Sequence, residues 1–384
     1  MKIKMEVGNI RDNKNKFFLA LLAVFSLVLI YVLYDFFAGK DERKPLLELS
    51  GVEIAQRTAQ FLDMSSKPNG MFVIRYQCDP ESREEKKCRE APIEEPPHTG
   101  QIILAYYELT KRTGDNTYKE KADKALEVSI KLCHELDKNY CEWNFFPLYR
   151  YYKDTGDKKY LDAMLAVSGR FLDDKVPLKD AVGGNYGNKL AMLYEVTSER
   201  KYIDRLRHVA DEVLNRGIES TDQKKPLYED NGFIVKVGSF QAVWSVYLPA
   251  YSATKDEKYL IAAKDFYDKA NLKVHLRELR RRLDIQNFAK IIDSLLILAE
   301  MENNQNSRYR DDALALMRSV VLHLWDSEEE VKFDGDYGFL SNFKKGENTK
   351  ATLMSGWVAQ ELLKFDEEKF RVQLKKSEEA FTGS

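Results

Sequence analysis

Apolar positions in this chain recur at helical spacing almost from end to end, and the breaks between the periodic stretches are themselves periodic. The phrase "TKRTGDNTYKEKA" leads to Tyr118, "YYKDTGDKKYLDA" carries Tyr160 and "YEVTSERKYIDRL" carries Tyr202. Variants of it carry Tyr259 ("YSATKDEKYLIAA") and Tyr309 ("NNQNSRYRDDALAL"), so the spacings are 42, 42, 57 and 50 residues. In "TGD" the glycine suits the left-handed conformation that ends a helix, and the aspartate suits the free amides that begin the next. Each phrase therefore predicts the corner of an αα-hairpin, with the tyrosine on the first turn of the second helix packing back against the first.

Five hairpins follow. Inner helices are expected near 99–112, 142–155, 184–198, 240–254 and 285–302, and outer helices near 117–136, 158–173, 200–216, 257–272 and 307–325. Two half-hairpins remain, an outer-type helix at 50–63 and an inner-type helix at 350–365. If these pair, the array closes into an all-α, (α/α)6 toroid over residues 50–365; an open HEAT-like solenoid is the rival, but it would need polar caps at both ends.

Residues 17–37 differ from the rest. "FFLALLAVFSLVLIYVLY" is polar only at Ser26, and such a run is long enough to cross a lipid bilayer as a helix. Basic residues Lys2, Lys4, Arg11, Lys14 and Lys16 in the segment 1–16 outnumber Lys40, Arg43 and Lys44 in the linker 38–49, which predicts a single-pass signal anchor with an extracytoplasmic C-terminal domain. The four cysteines fit that compartment: Cys78 with Cys88, and Cys133 with Cys141, are each close enough in sequence to close a small loop as a disulfide. Their spacing is too wide for the usual zinc knuckle, so no metal is expected. Residues 366–384 form a charged tail.

Lys plus Arg number 60 against 62 Asp plus Glu, a balance that offers no field for nucleic acid. With 44% apolar residues the chain can bury a sizeable core. No cofactor motif is present.

In a toroid the long outer-to-inner connections, near 64–98, 137–141, 174–183, 217–239, 273–284 and 326–349, share one rim with the N-termini of the inner helices. That rim is the candidate site. The element from Gly70 to Tyr76 ("GMFVIRY"), "HTG" at residues 98–100 and the repeated "T-G-D-x-x-Y" resemble the six-hairpin glycosidase-like superfamily. The resemblance implies a saccharide ligand; glycoside hydrolysis leads, with polysaccharide lyase, sugar epimerase and non-catalytic glycan- or protein-binding module as alternatives. Tyr76, Trp143, Asn185, Tyr186, Trp244, Tyr337 and Trp357 are candidates for holding a sugar, the flat aromatic faces by stacking. Burial in the core is the alternative for Trp244 and Trp357.

Hydrolysis of a glycosidic bond requires two carboxylates, one of them held protonated. The shortlist is Glu142, Asp180, Asp230, Asp284 and Asp336. Glu142 and Asp284 also stand where helix-capping acids belong, and Asp180 and Asp230 where turns do. His98 and His275 lie in rim loops, where a facing pair would suit proton abstraction and return at a sugar carbon. The basic stretch "RELRRRL", residues 277–283, reads as a solvated face or a contact for acidic groups.

Overall fold

Helical spacing becomes helix wherever a cap can start it, and α1 (Gly51–Met64) begins on a capping box: Ser50 accepts from the Glu53 amide while Glu53 accepts from the Ser50 amide. The computed structural model describes residues 49–73, 75–78, 88–90, 99–216, 226–230, 232–302, 307–325, 338–339 and 349–365. The chain divides after Leu49, and the unit described is the one from Ser50 onward. The apolar segment 17–37, the tail 366–384, and the candidates His98, Asp336 and Tyr337 lie outside the described residues.

After α1 come α2 (Gly100–Thr113) and α3 (Asn116–Glu135), then a short α4 (Asn139–Trp143) leading into α5 (Phe145–Thr155) and α6 (Lys158–Leu172). Another short helix, α7 (Leu178–Gly183), precedes α8 (Tyr186–Thr197) and α9 (Arg200–Arg216). The fourth inner helix is composite: α10 (Val237–Ala242) runs through a π-helical turn (Val243–Tyr247) into α11 (Leu248–Thr254), and α12 (Glu257–Ala270) returns outside it. Then α13 (Leu276–Arg282) leads to α14 (Ile285–Met301) and α15 (Arg308–Leu324), and α16 (Thr352–Leu362) completes the set.

The corners repeat one set of bonds. Thr113, Thr155, Thr197 and Thr254 each donate to the carbonyl four residues back and accept the amide two residues ahead. The residue between is left-handed in every case: Gly114, Gly156, Ser198 and Lys255, at φ 75°, 68°, 57° and 58°. Asp115, Asp157 and Asp256 then cap the next helix by accepting from Thr117, Lys159 and Lys258. The recurring tyrosines do two jobs. Tyr118 stacks on Tyr106 and Tyr160 packs at a tilt on Tyr151 of their own inner helices, as expected, while Tyr259 and Tyr309 donate to Asp211 and Asp268 on the preceding outer helices.

The ring is closed. Inner helices pack in order α16, α2, α5, α8, the π-turn with α11, then α14, and α14 packs on α16 again. The first and last helices form the sixth hairpin: α1 packs along α16, close enough that a Cβ on Gly51 would lie 2.9 Å from the Leu362 carbonyl oxygen. The expectation of an all-α fold needs one refinement, since the rim carries short strands. Strands β1 (Arg75–Cys78) and β2 (Cys88–Glu90) pair antiparallel, and β3 (Pro226–Asp230) pairs with β4 (Phe233–Lys236) across a turn at Gly232, φ 80°. Strand β5 (Thr349–Ala351) pairs with β1, so a second bond between the two ends of the chain's ring lies on this rim.

Cys133 and Cys141 form the expected disulfide. For the other pair the backbone register of β1 and β2 sets Cys78 opposite Cys88, and their side chains lie outside the described residues.

Candidate functional site

A cavity of about 380 Å³ opens among the N-terminal turns of the inner helices. Gln101 of α2, Phe146 of α5, Lys189 of α8, Gln286 of α14 and Leu353, Met354 and Trp357 of α16 line it. The rim connections add Arg75, the pair Glu142 and Trp143, and residues 183–185. This is the rim expected from loop lengths, because a closed ring brings every outer-to-inner connection to the same end.

Glu142 is the carboxylate that reaches this cavity among its described lining residues. Its Oε1 accepts from Lys189 Nζ at 2.9 Å and its Oε2 from Arg170 Nη1 at 3.0 Å. Lys189 is 5% exposed, and burial lowers its ammonium from the ordinary lysine range while Glu142 pulls it back up. The position of Glu142 is fixed locally: α4 is tied to the end of α3 by the Cys133–Cys141 bridge, one residue before it. Asn144, one residue beyond Trp143, is buried and accepts from Thr99, whose hydroxyl lies 3.1 Å from that of Ser129. Thr99 and Gly100 of the "HTG" element thus serve packing, with Gly100 so close that a Cβ would lie 2.5 Å from the Trp143 carbonyl oxygen.

A polar chain runs from the cavity into the ring. Asn185, left-handed at φ 61°, accepts from Gln241 Nε2 at 2.6 Å, and Gln241 Oε1 accepts from Lys290 Nζ at 2.5 Å. Lys290 is 7% exposed, five residues or roughly 7.5 Å along α14. Its ammonium lies 5.6 Å and 5.8 Å from the ring centres of Trp244 and Trp357, and burial pushes its pKa down to about 8. Trp244 Nε1 donates to Asp293 at 2.6 Å. Lys364 joins Asp293 and Glu361 at 2.6 Å and 2.9 Å, and burial raises the Glu361 carboxyl to about 8 despite Lys364.

The structure gathers Glu142, Trp143, Asn185 and Trp357 from the sequence candidates around the cavity. It disperses the others. Asp180 is exposed on α7, Asp230 at the end of β3 lies 3.3 Å from His275, and Asp284 caps α14 by accepting from Asn287. Tyr76 is buried against Phe61, Tyr186 packs on Phe171, and Trp244 is 4% exposed in the core with Trp357. Arg75, Gln101, Phe146, Lys189 and Gln286 were not singled out from sequence. Gln101, Phe146 and Gln286 each stand on the first turn of an inner helix, which was a usable signal; Lys189 and Lys290 stand among apolar residues of helices, where a lone lysine is unusual.

No family model matches the chain, and no curated protein sequence does. Solved structures do match in shape. An unsaturated glucuronyl hydrolase specific for heparin superposes with a TM-score of 0.59 at 14% identity, over 85% of this chain and 98% of that one. The GH76A α-1,6-mannanase of Salegentibacter sp. HEL1_6 gives 0.54 at 13% identity, over 81% and 98%. An unsaturated glucuronyl hydrolase from Streptococcus agalactiae gives 0.53 at 14%, over 83% and 92%. Both kinds of protein have the (α/α)6 toroid of the six-hairpin glycosidase-like superfamily, and at these identities the likeness is one of fold.

Proposed function

We propose, from a fold shared with glycoside hydrolases, that this toroid is a carbohydrate-active protein that takes a saccharide in the rim cavity. The observation that carries the reading is the lining itself: Trp143, Phe146 and Trp357 offer aromatic surface, and Gln101, Asn185 and Gln286 offer amides. Flat apolar faces beside neutral donors and acceptors suit a sugar ring, whose two faces are weakly apolar and whose edge is hydroxyl. In the same proposal residues 17–37 anchor the chain in a membrane with the toroid on the oxidising side, a reading supported by the apolar run and by the Cys133–Cys141 bridge.

Hydrolysis is the second reading, favoured by the placement of Glu142. Both of its oxygens accept from cations, Lys189 and Arg170, an arrangement suited to a base or nucleophile. Among the described residues that line the cavity no second carboxylate joins it. Binding therefore needs nothing further, whereas hydrolysis needs a second group.

The test uses the full chain in detergent on a glycan array and with chromogenic glycosides, beside Glu142→Gln. Binding without turnover supports the binding module. Turnover lost by a factor of about 10² or more in Glu142→Gln, with glycan still retained, establishes an enzyme. Retention of no glycan by the parent protein overturns the proposal.

A further inference from the structure

We infer that the saccharide taken by this cavity is acidic, a sugar carrying a carboxylate or sulfate group together with free hydroxyls. This rests on the reading of the cavity as a saccharide site. The fold neighbours do not make the choice, since their names pair an enzyme specific for heparin, an acidic polymer, with one for mannan, a neutral one.

Charge makes it. Among the described residues, Arg75 and Lys189 line the cavity, Arg170 bonds the lining residue Glu142, and Lys290 reaches the lining through Gln241 and over the ring of Trp357. Two carboxylates face them, and a third, Glu361 behind Trp357, has its carboxyl raised to about 8 by burial. Glu142 is shared by Lys189 and Arg170, and Asp284, which acts on Lys290, is already committed to capping α14. Arg75 lines the cavity on β1, exposed, and forms no ion pair with a described residue. A site with surplus cations in surroundings less polar than water gains more from an anionic group than from a hydroxyl, and a guanidinium holds carboxylate or sulfate through paired N–H donors.

Two further features act in the same direction. Lys290 lies over the ring of Trp357, so the indole that faces the cavity is already engaged by a cation and offers less negative π density to the C–H face of a neutral sugar. Among the described residues no donor reaches the buried Oε1 of Gln101 beside the cavity, and such an acceptor requires a donor. Sulfate or chloride has none. A ligand that satisfies both Arg75 and Gln101 carries an anionic group and a hydroxyl on one small frame.

The experiment titrates the full chain in detergent with a heparin tetrasaccharide and, separately, with α-1,6-mannotetraose, each at low and high salt. Arg75→Gln is compared with the parent, and Arg277→Gln with Arg281→Gln, on exposed α13, controls for adhesion of a polyanion to the surface. The expected result is tighter binding of the acidic tetrasaccharide by roughly tenfold or more, weakened by salt and lost in Arg75→Gln while the α13 double variant keeps it. Equal or tighter binding of the neutral tetrasaccharide, or a loss that follows the α13 variant, overturns the inference and leaves the saccharide reading standing. Binding of neither overturns both.

Discussion

Glu361 sits on the inner face of α16 with 1% of its surface exposed, beside Lys364, and with Asp293 bonded to the same ammonium. Burial holds its carboxyl at about 8 in the folded chain, whereas an unfolded glutamate titrates near ~4.3. The folded state thus keeps a proton that the unfolded state gives up between those values. The stability linked to this group is present below the unfolded pKa and is lost as pH rises through about 8. Glu361→Gln removes that dependence, so the variant should gain on the parent from pH 5 to pH 8, by on the order of a few kcal/mol, read as diverging Tm values. Lys290 has the opposite sign. Its lowered pKa costs stability while the buried amine is charged, so the parent should gain on Lys290→Met between pH 8 and pH 10. Parallel pH profiles for parent and variant would remove the buried-charge account of either residue.

Among elements, the corners were the legible part, because a threonine, a left-handed residue and an acidic cap make a complete hydrogen-bonded unit within a few positions. The crossings between inner helices were not. Gly187, in the first turn of α8, sits against the π-turn so tightly that a Cβ would lie 2.0 Å from the Ser245 carbonyl oxygen. Backbone cannot yield as a side chain does, so Gly187→Ala should cost about 1–3 kcal/mol in urea unfolding and displace Lys189, two residues on, from Glu142. Weakened ligand binding should accompany it. An unchanged midpoint would show that α8 can shift freely. The short rim strands were equally hidden, since β1 and β5 are three or four residues each and meet only because the ring closes.

At the scale of the molecule, closure distinguishes this fold from a stack of repeats. Gly51 allows α1 to approach the Leu362 carbonyl, and Arg112 of α2 donates to the Phe365 carbonyl just past α16. An open array loses stability repeat by repeat from an end, whereas a ring with its two ends paired has no end to fray. Gly51→Val should therefore lower the whole unit's unfolding midpoint in one cooperative transition. Loss confined to the signal of one terminal hairpin would favour solenoid-like behaviour. The same closure gathers Arg75, Gln101, Glu142, Asn185, Gln286 and Trp357, far apart in sequence, around one cavity.

The sequence by itself determined the twelve main helices, their corners, the rim on which long connections collect and the Cys133–Cys141 pair, because each depends on residues within one hairpin of each other. It also named Glu142, Trp143, Asn185 and Trp357, which stand at the starts or in the first two turns of inner helices. Only the tertiary structure decided that Asp180, Asp230 and Asp284 stand outside the cavity lining, that Lys189 and Arg170 claim Glu142, and that Lys290 lies against two indoles. Those outcomes depend on which helix faces which across a closed ring, and periodicity fixes only the face a helix buries, not the partner that covers it.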